Sequence, residues 1–102
     1  MSAESCAALK AEAQKKDPAV KVPTYLFRPN IVLSGGPAYF EDQLRIVRVN
    51  NTLFRTVRFC DRCKAMAYDY ETGKRNKYME PYATIMRTRM LPDKGGLFGI
   101  YA

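Results

Sequence analysis

The first 40 positions contain two different patterns of apolar and polar residues. Alanines and Leu9 at the start of the chain favour a helix, which Ser2 can cap and which Asp17-Pro18 ends. Residues 1–17 are therefore predicted to form an N-terminal helical arm. Prolines then recur at short intervals, and each removes a backbone donor and favours an extended path. Residues 18–40 are predicted to form an extended strap, with short edge strands at 24–27 and 30–33.

The centre of the chain has the alternation that is typical of strands. Residues 44–49 and 52–59 are predicted to be two strands, joined at Asn50-Asn51, because asparagine tolerates the left-handed conformation of a tight hairpin turn. Arginines occur on both predicted faces, so the hairpin fits better between two polar surfaces than in a two-layer core. One of these faces carries the apolar residues Leu44, Ile46, Leu53 and Val57.

These elements predict an α+β fold: a small irregular single domain with an N-terminal helix, a central β-hairpin and extended proline-broken arms. Residues 41–94 are predicted to be a small hairpin-centred domain, within which 83–91 form a short strand or helix. Residues 95–102 are predicted to be an apolar C-terminal tail that occupies a groove. Because the apolar clusters are short and interrupted, we expect the chain to need a partner surface to bury them.

The charge of the chain indicates the kind of partner. The 102 residues contain 17 Lys and Arg against 10 Asp and Glu, a net charge of +7. This excess favours other protein subunits with acidic surfaces, RNA or anionic lipid, although it also suffices to keep a small protein soluble. The longest uncharged stretch, residues 29–40, is too short for a membrane span and contains Pro37 and a glycine pair. The chain is therefore predicted to have no membrane span of its own.

Cys60 and Cys63 form the one Cys-x-x-Cys pair in the chain. The run from Arg58 to Cys63, with Met66 and Tyr68 behind it, resembles the first half of the zinc ribbons of small RNA polymerase subunits. In that family a second Cys-x-x-Cys completes a tetrahedral site, but the corresponding region here, residues 79–86, has no cysteine, and the chain has no histidine. A zinc site at Cys60 and Cys63 would need two further ligands from a neighbouring chain.

The run from Cys60 to Ala67 also resembles the active sites of thioredoxin-like proteins and disulfide isomerases. That resemblance implies a redox dithiol at the start of a helix, where the helix N-terminus, Arg62 and Lys64 would lower the pKa of the first thiol. The chain after Cys63 is too short for the rest of that fold. Packing thiols are the alternative interpretation of the pair.

Other chemistry is sparse in the sequence. It has no histidine for acid–base catalysis, no phosphate-binding P-loop and no glycine-rich dinucleotide turn. We therefore predict no enzyme, no catalytic residue and no cofactor. The hypothesis is a non-catalytic accessory or structural subunit of a large multisubunit assembly, with a mitochondrial respiratory-chain or ATP synthase complex as first choice. The alternatives are an RNA-binding component, such as an organellar ribosomal protein, and a thiol-disulfide oxidoreductase.

The expected location follows from that choice of host. It is the mitochondrion, where those complexes are found. The alternative is another reducing compartment, because the chain has only three cysteines. The residues predicted to contact partners are aromatic anchors and arginines, the types that protein interfaces favour. They are Tyr25, Phe27, Arg45, Arg48, Arg55, Arg58, Tyr78, Tyr82, Phe98 and Tyr101.

Overall fold

The N-terminal helix begins where its cap predicts. In the computed structural model, which describes residues 1–102, helix α1 spans Ala3–Gln14. The Ser2 side chain accepts a hydrogen bond from the Ser5 backbone N–H at 3.0 Å. The helix ends three residues before the predicted boundary at Asp17, and its inner side buries Ser5, Cys6, Leu9 and Ala13 against the rest of the chain. It is therefore part of the domain and not a separate arm.

The strap differs from the prediction. Residues 24–27, expected to be a strand, form a 3₁₀ turn, Thr24–Phe27, in which the Leu26 N–H donates to the Pro23 carbonyl at 3.0 Å. Of the second expected strand, 30–33, only Leu33 makes a bridge, to Ser2. The Leu33 N–H donates to the Met1 carbonyl and its carbonyl accepts from the Ala3 N–H, each at 2.9 Å, and no ladder extends along the rest of the segment.

The central hairpin is present, with its turn at the predicted residues. Strands β1 (Ile46–Val49) and β2 (Thr52–Arg55) are antiparallel, and Val49 pairs with Thr52. Asn50 has a φ of 53°, the left-handed conformation that the turn requires. The second predicted strand, 52–59, is divided: β2 ends at Arg55, and a new strand, β3, begins at Arg58 in a different sheet.

The C-terminal segment is a central strand and not a tail. Strand β5 (Gly95–Tyr101) lies between β3 (Arg58–Asp61) and β4 (Met90–Leu91) in a three-stranded antiparallel sheet. Helix α2 (Tyr82–Thr88) covers this sheet. Gly96 allows the close approach, because a Cβ atom at that position would be 2.8 Å from the Ile85 Cγ2 atom.

The core lies where the strap, the two helices and β5 meet. The Phe27 and Phe98 rings lie 4.5 Å apart between centroids. The chain thus buries one apolar cluster by itself, while other large apolar side chains, among them Ile46, Leu53 and Val57, stay exposed. No helix is long and apolar enough to cross a membrane. The buried cluster comprises Met1, Cys6, Leu9, Ala13, Val20, Val22, Leu26, Phe27, Met66, Ile85 and Phe98.

Candidate functional site

The two cysteines of the central motif lie in different environments. The pairing of β3 with β5 shifts register between Phe59 and Asp61, and Cys60 lies at this irregularity with only 5% of its surface exposed. Cys63 comes directly before the 3₁₀ turn Lys64–Ala67 and its thiol side chain is exposed. The fold therefore presents one thiol to solvent and keeps the other inside.

Arg62 fixes the loop that carries these cysteines. Its backbone N–H donates to the Gly96 carbonyl at 2.8 Å, and its side chain donates from Nε to the Phe98 carbonyl at 2.9 Å and from Nη1 to the Phe27 carbonyl at 3.1 Å. The guanidinium also lies 5.5 Å from the centre of the Phe27 ring. Since this one side chain joins the cysteine loop to both β5 and the strap, it is a positioning residue.

The strap residue that follows this contact is also arginine. The Phe27 carbonyl is bonded to the Arg28 nitrogen, so the Arg62 contact fixes the backbone at the residue before Arg28. Arg28 has a φ of 51° and an exposed side chain that takes no part in the ion pairs of the molecule. Cys63 and Arg28 are thus an exposed thiol and an exposed guanidinium outside the ion pairs, carried by two segments that the Arg62 side chain joins.

Tyr101 lies next to the inner thiol. The neighbouring Cys60 side chain raises the pKa of the Tyr101 hydroxyl above its usual value of 10.0, and the Cys60 thiol donates to the Asp61 carbonyl at 3.7 Å. The Arg58 guanidinium lies over the Tyr101 ring at 4.6 Å from its centre. Cys60 is therefore occupied by contacts within the fold, which leaves Cys63 as the thiol available to a ligand.

A separate cleft lies between the strap and the turn at residues 68–71. Its volume is about 150 Å³ and tyrosines line it, including Tyr25, Tyr68 and Tyr70. Its charged lining comprises Asp17, Asp69, Glu71 and Glu80 against Lys21 alone. An excess of carboxylates disfavours an anionic ligand in this cleft.

The residues predicted to bind partners are dispersed over the structure. Phe27 and Phe98 are 2% and 1% exposed and pack in the core, and Tyr82 is half-buried against it. The others reach the surface: Tyr25 at the acidic cleft, Tyr78 under the Lys77 ammonium at 5.3 Å, and Arg58 with Tyr101 beside Cys60. The remaining arginines, Arg45, Arg48 and Arg55, are on the hairpin. No group of three or more Cys, Asp or Glu side chains is placed to hold a metal ion.

Comparison with known proteins decides the family. The MOSC domain profile matches residues 1–102, the full length of the sequence. The chain belongs to the MOSC domain family. It is 32% identical over 99 residues to a molybdenum cofactor sulfurase of Arabidopsis thaliana, an alignment that covers 92% of this chain and 12% of that protein.

A second group of similar proteins has another name. The mouse mitochondrial amidoxime-reducing component 1 is 35% identical over 74 residues, with 72% of this chain and 22% of that protein covered. Its human counterpart is 32% identical over 108 residues, with 99% of this chain and 30% of that protein covered. This MOSC chain thus spans about an eighth of the Arabidopsis sulfurase and less than a third of the amidoxime-reducing components.

The family corrects the functional hypothesis drawn from the sequence. An accessory structural subunit of a respiratory or ATP synthase complex is wrong, and so are the ribosomal and thiol-disulfide alternatives, because the relatives are named for a sulfurase and a reducing component. The prediction that no enzyme is involved is wrong for the same reason. That prediction rested on the absence of histidine and of nucleotide-binding motifs, but a bound cofactor can supply chemistry that side chains lack.

Sequence reasoning singled out Cys60 and Cys63 but missed Arg28. Arg28 stands directly before Pro29 and directly after two buried apolar residues, Leu26 and Phe27. The role of Arg62 in joining Phe27 to the cysteine loop depends on residues 35 positions apart, so no local pattern could indicate it. The site is therefore a product of chain folding and not of the Cys-x-x-Cys motif alone.

Proposed function

We propose that this MOSC domain binds molybdenum cofactor as part of an enzyme, with the exposed Cys63 thiol and the Arg28 guanidinium as its contacts. The observation that carries the proposal is the match to the family over the whole chain, together with a relative named for acting on that cofactor. The only solvent-exposed thiol of the chain lies at the loop that Arg62 fixes.

The residues present fit such a group. Molybdenum cofactor is a phosphorylated pterin that carries molybdenum, so its binding surface must meet both negative charge and a metal centre. Thiolate is a soft metal ligand, and guanidinium pairs with phosphate through two parallel hydrogen bonds. Cys63 and Arg28 supply these two chemical types, whereas the carboxylate-lined cleft at Tyr25 supplies neither.

Within the proposed function the chain's own residues bind and orient. The bound cofactor would supply a redox-active metal centre, which no side chain of this sequence provides. Arg62 would hold the loop so that Cys63 faces outward, and the left-handed backbone at Arg28 would direct its side chain away from the core. Cys60 would remain inside, in contact with Tyr101.

The proposal is tested by the metal content of thiol variants. Cys63→Ser should lower the molybdenum and pterin recovered per chain by about tenfold or more, because one ligand to the metal is removed. Cys6→Ser is the matched control, since Cys6 is a buried core thiol on α1. Protein is purified from cells that make the cofactor, and molybdenum is measured by mass spectrometry and pterin by fluorescence. Equal molybdenum content in both variants would refute the proposal.

Arg28→Gln tests the charged contact separately. It should reduce the pterin content while the thermal unfolding midpoint stays the same, because the Arg28 side chain is exposed and outside the ion pairs. Arg87→Gln, an exposed arginine on α2, serves as the control for loss of one charge. Unchanged pterin content in Arg28→Gln would remove this residue from the site and leave Cys63 to be judged by its own variant.

We further propose a mitochondrial location for the protein. Two of its relatives are named mitochondrial, which supports the proposal at 35% and 32% identity. A fluorescent fusion expressed in cultured cells should coincide with a mitochondrial dye. Diffuse fluorescence outside the organelle would contradict the location without affecting cofactor binding.

A further inference from the structure

The central hairpin has no layer packed on it. Strands β1 and β2 form a sheet of two strands, separate from the three-stranded sheet, and the outer edge of each strand is unpaired. Two-stranded hairpins are only marginally stable on their own. Most of this hairpin's residues are exposed on both faces, with Val47 and Phe54 half-buried.

One face of the hairpin exposes aliphatic side chains among arginines. The register pairs Ile46 with Arg55 and Arg48 with Leu53, so these four side chains share a face. Ile46 is 61% exposed, Leu53 66% and, just beyond β2, Val57 74%. We call Ile46, Arg48, Leu53, Arg55 and Val57, together with Arg45, which precedes Ile46 and so lies on the opposite face, the hairpin surface. Large aliphatic groups gathered on an exposed sheet are typical of an interaction site.

The charge of the hairpin surface has one sign. Residues 43–60 contain Arg45, Arg48, Arg55 and Arg58 and no Asp or Glu. Within the fold, Arg58 pairs with Asp61 at 3.3 Å, and Arg48 donates from Nε to the Asn50 carbonyl at 2.9 Å. Arg45 and Arg55 have no such partner and take no part in an ion pair. The surface therefore favours a ligand that brings carboxylates or phosphates.

We propose that the hairpin surface binds an extended acidic polypeptide, one whose carboxylates alternate with apolar side chains, along an open edge of the hairpin. An added strand would use the free backbone groups of that edge. Because side chains alternate along a strand, its apolar side chains would cover Ile46 and Leu53 on one face while its carboxylates pair with the guanidinium fork of Arg45 on the other.

The aliphatic side chains favour a protein over a nucleic acid. Proteins that bind single strands stack bases on aromatic rings, and the exposed face has Ile46 and Leu53 where rings would be needed. Every cation of the hairpin is arginine, the basic residue enriched in protein interfaces, and lysine is absent from residues 43–60. The proposal is independent of cofactor binding, because it uses none of the residues assigned to that function.

The test is direct binding of a defined probe to the full chain. A labelled peptide of alternating glutamate and valine is titrated by fluorescence anisotropy beside a glutamate-only peptide, a single-stranded RNA and phosphatidylserine vesicles. We expect the alternating peptide to bind about tenfold or more tightly than the glutamate-only peptide, because only the former covers the aliphatic residues. No binding of the alternating peptide, or stronger binding of RNA or vesicles, overturns the proposal.

Charge variants locate the binding. Arg45→Glu with Arg55→Glu should weaken binding of the alternating peptide by about tenfold or more, since the contact at Arg45 and the attraction of the nearby Arg55 charge become repulsive. Lys74→Glu with Lys77→Glu makes the same change of charge at exposed lysines outside the hairpin, and should weaken it far less. An equal loss in both variants would mean that net charge alone attracts the peptide, and would overturn the proposal.

Apolar variants test the other half of the surface. Leu53→Ser should lower the affinity for the alternating peptide. Leu91→Ser, at an exposed leucine of β4, should leave that affinity unchanged. An unchanged affinity in Leu53→Ser overturns the proposal. Circular dichroism establishes that each variant is folded, and Arg45→Gln with Arg55→Gln replaces the glutamate variant if that one unfolds. The hairpin variants should leave the molybdenum content unchanged. Measuring that content therefore separates a loss of peptide binding from a loss of cofactor binding.

Discussion

Glu41 shows how a single buried carboxylate organises the start of the domain. It is 1% exposed and accepts hydrogen bonds from the Ser2 N–H at 2.8 Å and from the Ser5 hydroxyl at 2.9 Å. It therefore satisfies donors at the N-terminus of α1, where the helix dipole also favours negative charge. Burial raises the pKa of Glu41, but hydrogen bonds from its own backbone N–H, Ser2 and Ser5 outweigh burial and bring the pKa below 4.5.

Because the pKa of Glu41 is lower in the folded chain than in the unfolded one, its contribution to stability is complete above about pH 4.5 and disappears as the pH falls through the folded pKa. Glu41→Gln should lower the free energy of unfolding at pH 7 by about 1–3 kcal/mol. It should also flatten the decline in stability that the native chain undergoes on acidification below pH 4.5. Urea unfolding at a series of pH values measures both effects.

The control for this prediction is Glu12→Gln. Glu12 is a half-exposed residue that pairs with the exposed Lys15 at 2.6 Å, and such surface pairs add little to stability. The unfolding midpoint of the Glu12→Gln variant at pH 7 should stay close to that of the native chain. If Glu41→Gln retained the acid dependence of the native chain, the carboxylate could not be its source.

Arg89 joins three elements at the end of α2. Its guanidinium pairs with Asp42 at 2.5 Å and lies 4.1 Å from the centre of the Tyr39 ring, and its Nε donates to the Leu97 carbonyl at 2.8 Å. The pair is mostly buried, with side-chain exposures of 15% and 24%. One side chain thus links α2, β5 and the 3₁₀ turn Phe40–Gln43.

Arg89→Gln should therefore destabilise the fold by about 2–3 kcal/mol, because it leaves the Asp42 carboxylate without its counter-charge in a largely buried place. Chemical unfolding monitored by circular dichroism measures the change. Arg87→Gln on the same helix, where the side chain is exposed, should have little effect. Equal destabilisation by the two substitutions would show that helix propensity, and not the ion pair, accounts for the loss.

At the scale of the whole molecule, the strap and the last strand complete the core together. The radius of gyration is 13.9 Å, close to the roughly 13 Å of a compact domain of this length. Phe27 from the strap packs on Phe98 from β5, and Tyr39 meets Phe98 edge-on at 6.4 Å. Segments that are far apart in the chain thus depend on one another for burial.

Phe98→Ala tests that dependence. Removing this ring should cost about 3–5 kcal/mol, a large part of the 5–15 kcal/mol that typically stabilises a domain. The loss is measured by denaturant titration, and Leu91→Ala at an exposed position is the control. A loss near zero for Phe98→Ala would contradict the central place of this residue in the core.

The sequence predicted the elements whose causes are local. The Ser2 cap and the alanines define α1 within its own residues, and Asn50 provides the left-handed turn of the hairpin. The Cys60 and Cys63 pair was also visible as a motif. Its division into an inner and an outer thiol was not, because that depends on how β3 pairs with β5.

The sequence by itself thus determined the α+β class, the first helix, the hairpin turn and the basic charge of the hairpin surface, since each follows from neighbouring residues. Only the tertiary structure decided that the strap enters the core, that β5 is a central strand, and that Arg62 joins the cysteine loop to Phe27 and Phe98. These outcomes depend on contacts between residues that are distant in the chain. The energies of such contacts come from burial and strand pairing, which the local propensity of each segment does not reflect.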